Sequence, residues 1–138
     1  RFFMKSKPNA VLTTANYFET GVDETSGILL ENPDGEMAVM ALTMRAKQPK
    51  RGVVAGEKGF IEIYDYPRAA KATITYTETG KTEVIEEGDS TKALQYEVAD
   101  MQNYVWNNGG EENLAIVRDV METLTSIRNQ WGMVYPFE

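Results

Sequence analysis

The chain has 138 residues, of which 42% are hydrophobic and 25% charged, with a formal net charge of −7 and neither cysteine nor histidine. That length predicts one domain able to bury roughly 70% of the surface its unfolded form exposes, and the apolar runs are too short to cross a bilayer. The composition excludes disulfides, thiolate nucleophiles, nearly every zinc site and the one side chain that ordinarily titrates near neutrality.

The charge is uneven. Residues 1 to 69 carry nine Lys and Arg against nine Asp and Glu, whereas residues 70 to 138 carry five against twelve. No basic stripe offsets the acidity, so a nucleic acid partner is not expected. The chain opens on Arg1 within an apolar cluster of Phe2, Phe3 and Met4, which reads as a piece of a longer protein.

From Asn9 to Glu87 the pattern is one of short β-prone runs between turn signals. Ala10 to Phe18 ends at Thr20-Gly21, Val22 to Glu31 follows, and Asn32-Pro33-Asp34-Gly35 turns into Met37 to Arg45. In this last run Met37, Val39, Ala41 and Thr43 alternate with Ala38, Met40, Leu42 and Met44. Apolar residues on both faces predict a central strand covered on each side. Past the basic loop Arg45 to Arg51, Gly52 to Ala55 and Phe60 to Tyr64 read as strands flanking Gly56-Glu57-Lys58-Gly59, with Pro67 closing the second. Ala72 to Thr77 and Lys81 to Glu86 form a polar hairpin expected at a sheet edge.

The period changes at Ala93. Leu94, Val98, Met101 and Val105 fall at helical spacing and stop at Asn107-Asn108-Gly109-Gly110. A second helix has Asn113 as a possible N-cap, a stripe of Leu114, Val117, Met121, Leu124, Ile127 and Trp131, and Gly132 at its end. Strands followed by two helices predict an α+β domain: an open, mostly antiparallel sheet with helices on one face. The expected division is residues 1–7 as the tail of a preceding helix, 9–87 as strands and 93–132 as two helices.

Chemistry is sparse. Gly56 to Gly59 does not open a helix, so it predicts a β-turn with positive φ at glycine rather than a phosphate loop. Asp23-Glu24 and Glu86-Glu87 point to opposite faces of their strands and cannot share a proton or a metal. Glu111-Glu112 suit the start of a helix, where negative charge complements the macrodipole. Arg45, Lys47, Lys50 and Arg51 form the concentrated positive charge. Arg45 and Arg51 are the candidates to hold a substrate or other anion, beside the plainer reading of a solvated loop. The tyrosines lack a neighbouring Lys or His partner for acid catalysis. No catalytic, cofactor-binding or metal-binding residue is predicted, so the chain alone reads as non-catalytic.

The order and spacing of Gly21-Val22-Asp23-Glu24, the hairpin through Gly35, Thr43-Met44-Arg45 with Pro49, and Val54-Ala55-Gly56-Glu57-Lys58-Gly59-Phe60-Ile61-Glu62-Ile63 resemble the C-terminal domain of the Gfo/Idh/MocA oxidoreductases. Ile127-Arg128, Gly132 and Tyr135-Pro136 are similar to that family's last helix and tail, and within the family the chain is similar to the dimeric dihydrodiol dehydrogenase branch.

The resemblance implies a substrate and oligomerisation domain that follows an N-terminal Rossmann domain binding NAD or NADP. The family's Lys-bearing motif belongs in that first domain, and its second catalytic motif belongs on a helix whose tail would be Arg1 to Lys5. No catalytic residue therefore transfers to this chain. The implied partners are its own Rossmann domain and a second copy, in a homodimer or higher homo-oligomer. Met37, Val39, Met40 and Leu42 are the candidate dimer face. The implied reaction is dehydrogenation of a sugar, polyol or diol, and a cytoplasmic, membrane-free location is expected. The alternative is a free-standing binding or assembly module without redox chemistry.

Overall fold

The structure is a computed structural model that describes residues 1–66 and 68–135. Pro67, expected to close a strand, and Pro136 of the expected tail lie outside the described residues. The fold is α+β with antiparallel sheet throughout. Its strands are β1 (Ala10–Tyr17), β2 (Asp23–Glu31), β3 (Met37–Thr43), β4 (Arg51–Gly56), β5 (Gly59–Tyr64), β6 (Lys71–Tyr76) and β7 (Thr82–Glu86). A 3₁₀ turn, Ser90–Lys92, leads into α1 (Ala93–Asn107), and α2 (Glu111–Trp131) follows.

Two sheets form, ordered β1-β2-β3 and β4-β5-β6-β7. The chain groups into two compact units, one of Arg1–Lys47 with Gly110 onward and the other of Gln48–Gly109. The run of strands predicts one open sheet, where the structure has two. The pairing instead closes locally, because each strand finds its neighbour across a short turn.

In the first unit β2 is the central strand. Val11, Leu30 and Ala38 stand in register across one face, as do Thr13, Ile28 and Met40 in the next row. α2 lies on this face. Ile28, Leu30 and Ile127 form the buried cluster, with Val11, Ala38 and Trp131 packed around it. Each fully buried aliphatic side chain contributes about 1.5 to 3 kcal/mol, so this small cluster carries much of the unit's stability. Two polar contacts set the end of α2: the Trp131 indole donates to Thr13 Oγ1 at 2.9 Å, and Tyr17 donates from its hydroxyl to the Trp131 carbonyl at 2.8 Å.

Four expectations need correction here. β3 is an edge strand and not a central one, since it pairs with β2 alone among the described strands, and Val39 is 75% exposed. α2 begins at Glu111 behind Gly110, so Asn113 sits inside its first turn rather than at the N-cap. The α2 stripe is right only toward its C-terminus. Ile127 is buried and Trp131 partly so, while Leu114, Val117, Met121 and Leu124 are exposed. The helix instead turns Thr123 and half-buried Ile116 and Asp119 inward. Residues 2–6, where a helix tail is expected, form turns and bends.

In the second unit, Val54, Ile61 and Ile74 stand in register and are half-buried, and β7 is an exposed edge strand. Gly56 and Gly59 do not have the positive φ expected of them. Gly59 is required for another reason: a Cβ there would stand 2.2 Å from the Thr75 carbonyl oxygen. α1 has no buried residue.

Asp89 caps the 3₁₀ turn, accepting from Thr91 Oγ1 at 2.6 Å and from the Thr91 amide at 3.0 Å. The bond from the Thr91 hydroxyl, and then that from its amide, hold the Asp89 carboxyl below its ordinary value of 3.8. A carboxylate whose folded value is depressed stabilises fully above its unfolded value, and that contribution fades as pH falls through the folded one. Fraying of the 3₁₀ turn and the start of α1 is therefore expected below about pH 3.8. An NMR titration following the Thr91 amide would show it, and a midpoint at or above 3.8 would exclude this role for the cap.

Candidate functional site

Two groups of residues are candidates, and the fold gives them different fates. The first is the basic loop between β3 and β4. Arg45 leaves the end of β3 and donates from Nε to Glu24 Oε1 at 2.5 Å. Its backbone amide donates to Thr43 Oγ1 at 3.1 Å, which turns the chain out of the strand. Arg51 opens β4 and donates from Nη2 to Glu62 Oε1 at 2.5 Å and from Nε at 3.1 Å, across the β4-β5 ladder. The hydrogen bond with Glu62, then the nearby Tyr64 and Glu62 charges, hold the Arg51 proton more firmly than usual. Both guanidinium groups are thus engaged by carboxylates of their own units. An incoming anion would have to displace Glu24 or Glu62, whose side chains are the more buried partners of these pairs.

The second group is the open face of the first sheet. Strand alternation divides the four candidate residues of β3. Met37 and Val39 point to the side opposite α2, while Met40 and Leu42 share the side of Ile28 that α2 covers. Leu12, Leu29 and Val39 stand in direct register across all three strands of the open side. The rows next to them are Ala10, Glu31 and Met37 on one side and Thr14, Gly27 and Ala41 on the other. Leu12 and Val39 are exposed, and a shallow depression lies between them, floored by Gly27 and Leu29. This gives a largely apolar surface, edged by Thr14 and Glu31, on which the lack of a side chain at Gly27 leaves a recess. Sequence patterning flagged β3 but missed Leu12 and Leu29, because their place beside Val39 depends on register and not on any local motif.

The residues present do not fit a dinucleotide cofactor. The Gly56 to Gly59 turn joins two strands, and the helix that does follow glycines, α2, carries Glu111 and Glu112 in its first turn, where they repel a phosphate. Among the described residues, no three His, Cys, Asp or Glu side chains come together as metal ligands, and no helix is long and apolar enough to cross a membrane. Tyr17 and Tyr76 have their phenols engaged as well. Tyr76 donates to Glu83 at 3.2 Å, and that bond, with the adjacent negative charge, pushes its pKa up, away from acid catalysis at neutral pH.

No family model matches the chain. Over 61 residues, 44% of its length, it is 38% identical to a trans-1,2-dihydrobenzene-1,2-diol dehydrogenase of Xenopus laevis. A segment of the same length is 33% identical to the enzyme of that name from Xenopus tropicalis. The matched segment spans 18% of each relative. The chain is thus related, over part of its length, to a dehydrogenase.

Proposed function

We propose that the chain is the substrate-binding and oligomerisation domain of an NAD(P)-dependent oxidoreductase of the Gfo/Idh/MocA type, acting on a sugar, polyol or diol. The observation that carries this reading is the 38% identity over 61 residues to a diol dehydrogenase. The α+β architecture is compatible with it. In this reading the nicotinamide is held by a separate Rossmann domain, since hydride transfer needs the cofactor fixed in a dinucleotide crevice that these residues do not form. The deciding experiment is to sequence the gene upstream of Arg1 and assay the complete protein. A Gly-x-Gly-x-x-Gly strand-turn-helix element and NAD(P)-dependent oxidation of a diol or polyol are expected. Their absence would leave the free-standing binding or assembly module. The chain alone is expected to show no stoichiometric micromolar NAD or NADP binding by calorimetry.

The oligomerisation part of the proposal rests on the open sheet face. Two such faces stacked about 10 Å apart, with their strand directions within about 30°, would remove Leu12, Met37 and Val39 from water. Val39→Lys places a charge in the middle of that contact, and a weakening of self-association by about 100-fold or more is expected, on the scale of a buried unpaired charge. Sedimentation velocity checks this. A strict monomer for the unaltered chain at high concentration would remove this role from the face.

A further inference from the structure

Residues 1–8, ahead of Asn9 and β1, lie against the first unit without joining its sheet. The one backbone bond within them, Met4 amide to Arg1 carbonyl at 3.0 Å, is internal, and the first bond to the sheet backbone is that of the Asn9 amide to Glu31. Side chains do the attaching. Arg1 donates from Nε to Asp119 on α2 at 2.6 Å and from Nη1 back to the Met4 carbonyl, also at 2.6 Å. Lys7 pairs with Glu122, one turn further along the same helix. At the turn between β2 and β3, Glu36 accepts from the Lys5 amide at 2.8 Å and Asp34 accepts from Ser6 Oγ at 2.5 Å.

That turn is itself held by hydrogen bonds. Asn32, 2% exposed, accepts from the Asp34 and Glu36 amides and donates to Glu36 Oε2 and to the Ser6 carbonyl. Met4 and Pro8 are the two buried side chains of the segment. Between the Arg1 and Met4 anchors, Phe2 and Phe3 stand outward with their rings edge to face, 5.2 Å apart.

We infer that residues 1–8 are a clasp locked by Asp34, Glu36, Asp119 and Glu122, and that it opens as a unit before the sheet and helix beneath it separate. The lock is a pair of ion pairs on the helix side and hydrogen bonds from neutral donors to carboxylates on the turn side, and only two apolar side chains back it. Partly exposed ion pairs contribute little each and are screened by salt, so a segment held this way sits at the low end of the local stability scale. The clasp fixes where Phe2 and Phe3 stand and the direction in which the backbone meets β1. Where a cofactor domain precedes Arg1, which rests on the reading above, these four carboxylates become positioning residues for that domain.

The test is amide hydrogen exchange on the chain as it is. Asp119→Asn with Glu122→Gln, and separately Glu36→Ala, are expected to speed exchange at Met4 and Lys5 by about five-fold or more, with Leu30 and Ile127 amides held within about two-fold. Raising salt to about 1 M on the unaltered chain, where the screening length falls to about 3 Å, is expected to act in the same direction and serves if a variant fails to fold. Unchanged exchange at Met4 and Lys5, or a parallel rise at Leu30 and Ile127, would overturn the clasp. These readouts involve no cofactor, so their outcome is independent of whether the complete protein is an oxidoreductase.

Discussion

Gly59→Ala is expected to destabilise the chain by about 3 kcal/mol, the upper part of the range for overpacking. The added Cβ would meet the Thr75 carbonyl oxygen at 2.2 Å, with the Thr75 carbonyl carbon and Tyr76 Cα just behind it. These are backbone atoms of the strand paired with Gly59, so no rotamer change can relieve the contact. Relief requires moving β6 away from β5 at the register point Gly59 to Tyr76. Gly56→Ala, three residues earlier and the register partner of Gly59 on β4, is the control. There the nearest atom is the Gly59 carbonyl oxygen at 3.7 Å, an ordinary contact, and φ is not positive. Urea titration of the two variants should separate them clearly. Equal midpoints would mean the sheet absorbs the Cβ and the glycine has no packing role.

The second large effect is expected at Ile127→Ala. Ile127 is 2% exposed and is the α2 member of a buried cluster that otherwise consists of Ile28 and Leu30. Truncation of a buried isoleucine costs about 2 to 5 kcal/mol, and a three-residue cluster has little else to close the gap. Leu124→Ala, on the same helix but 49% exposed, is expected to cost under about 1 kcal/mol. Thermal melts of both would test the assignment of the buried face of α2. Comparable losses at the two positions would show that the stripe read from sequence, in which Leu124 and Ile127 are equivalent, describes the helix better.

That contrast shows where sequence reasoning reaches and where it stops. All seven strands and α1 lie within a residue or two of their expected ranges, and α2 starts three residues before its expected first turn, because alternation, turn chemistry and the Asn108 to Gly110 stop act within a few residues. Gly35 has the positive φ its turn requires, and Asn108 ends α1 in the left-handed region with its amide on the Tyr104 carbonyl. What patterning misplaces is pairing. β3 is apolar on both faces whether it is central or at an edge, and only the register shows that β2 is its one partner among the described strands. The glycine signal at 56 to 59 was real but its cause was not local: Gly59 answers to Thr75, sixteen residues away. For α2, the apolar stripe competes with a mixed row of Ile116, Asp119, Thr123 and Ile127, in which Asp119 pairs with Arg1. The candidate arginines were found by charge alone, whereas Glu24 and Glu62, which occupy them, lie on strands whose facing cannot be known before pairing. The relation to a dehydrogenase was legible from motif order, since order survives when individual motifs are weak.

A consequence follows from the bareness of α1. With no side chain buried, its 15 residues draw helicity from their own backbone bonds, the Asp89-capped turn before them and the Asn108 cap after them. Helices of that length in water sit near the balance between nucleation cost and propagation gain, and they exchange with coil on a timescale of about 0.1 to 1 μs. α1 is therefore a thermometer within the molecule. Its ellipticity should decline along a gradual slope from low temperature, well before the cooperative melt of the sheets, so that helix content measured cold and helix content measured warm describe two different populations of one folded chain.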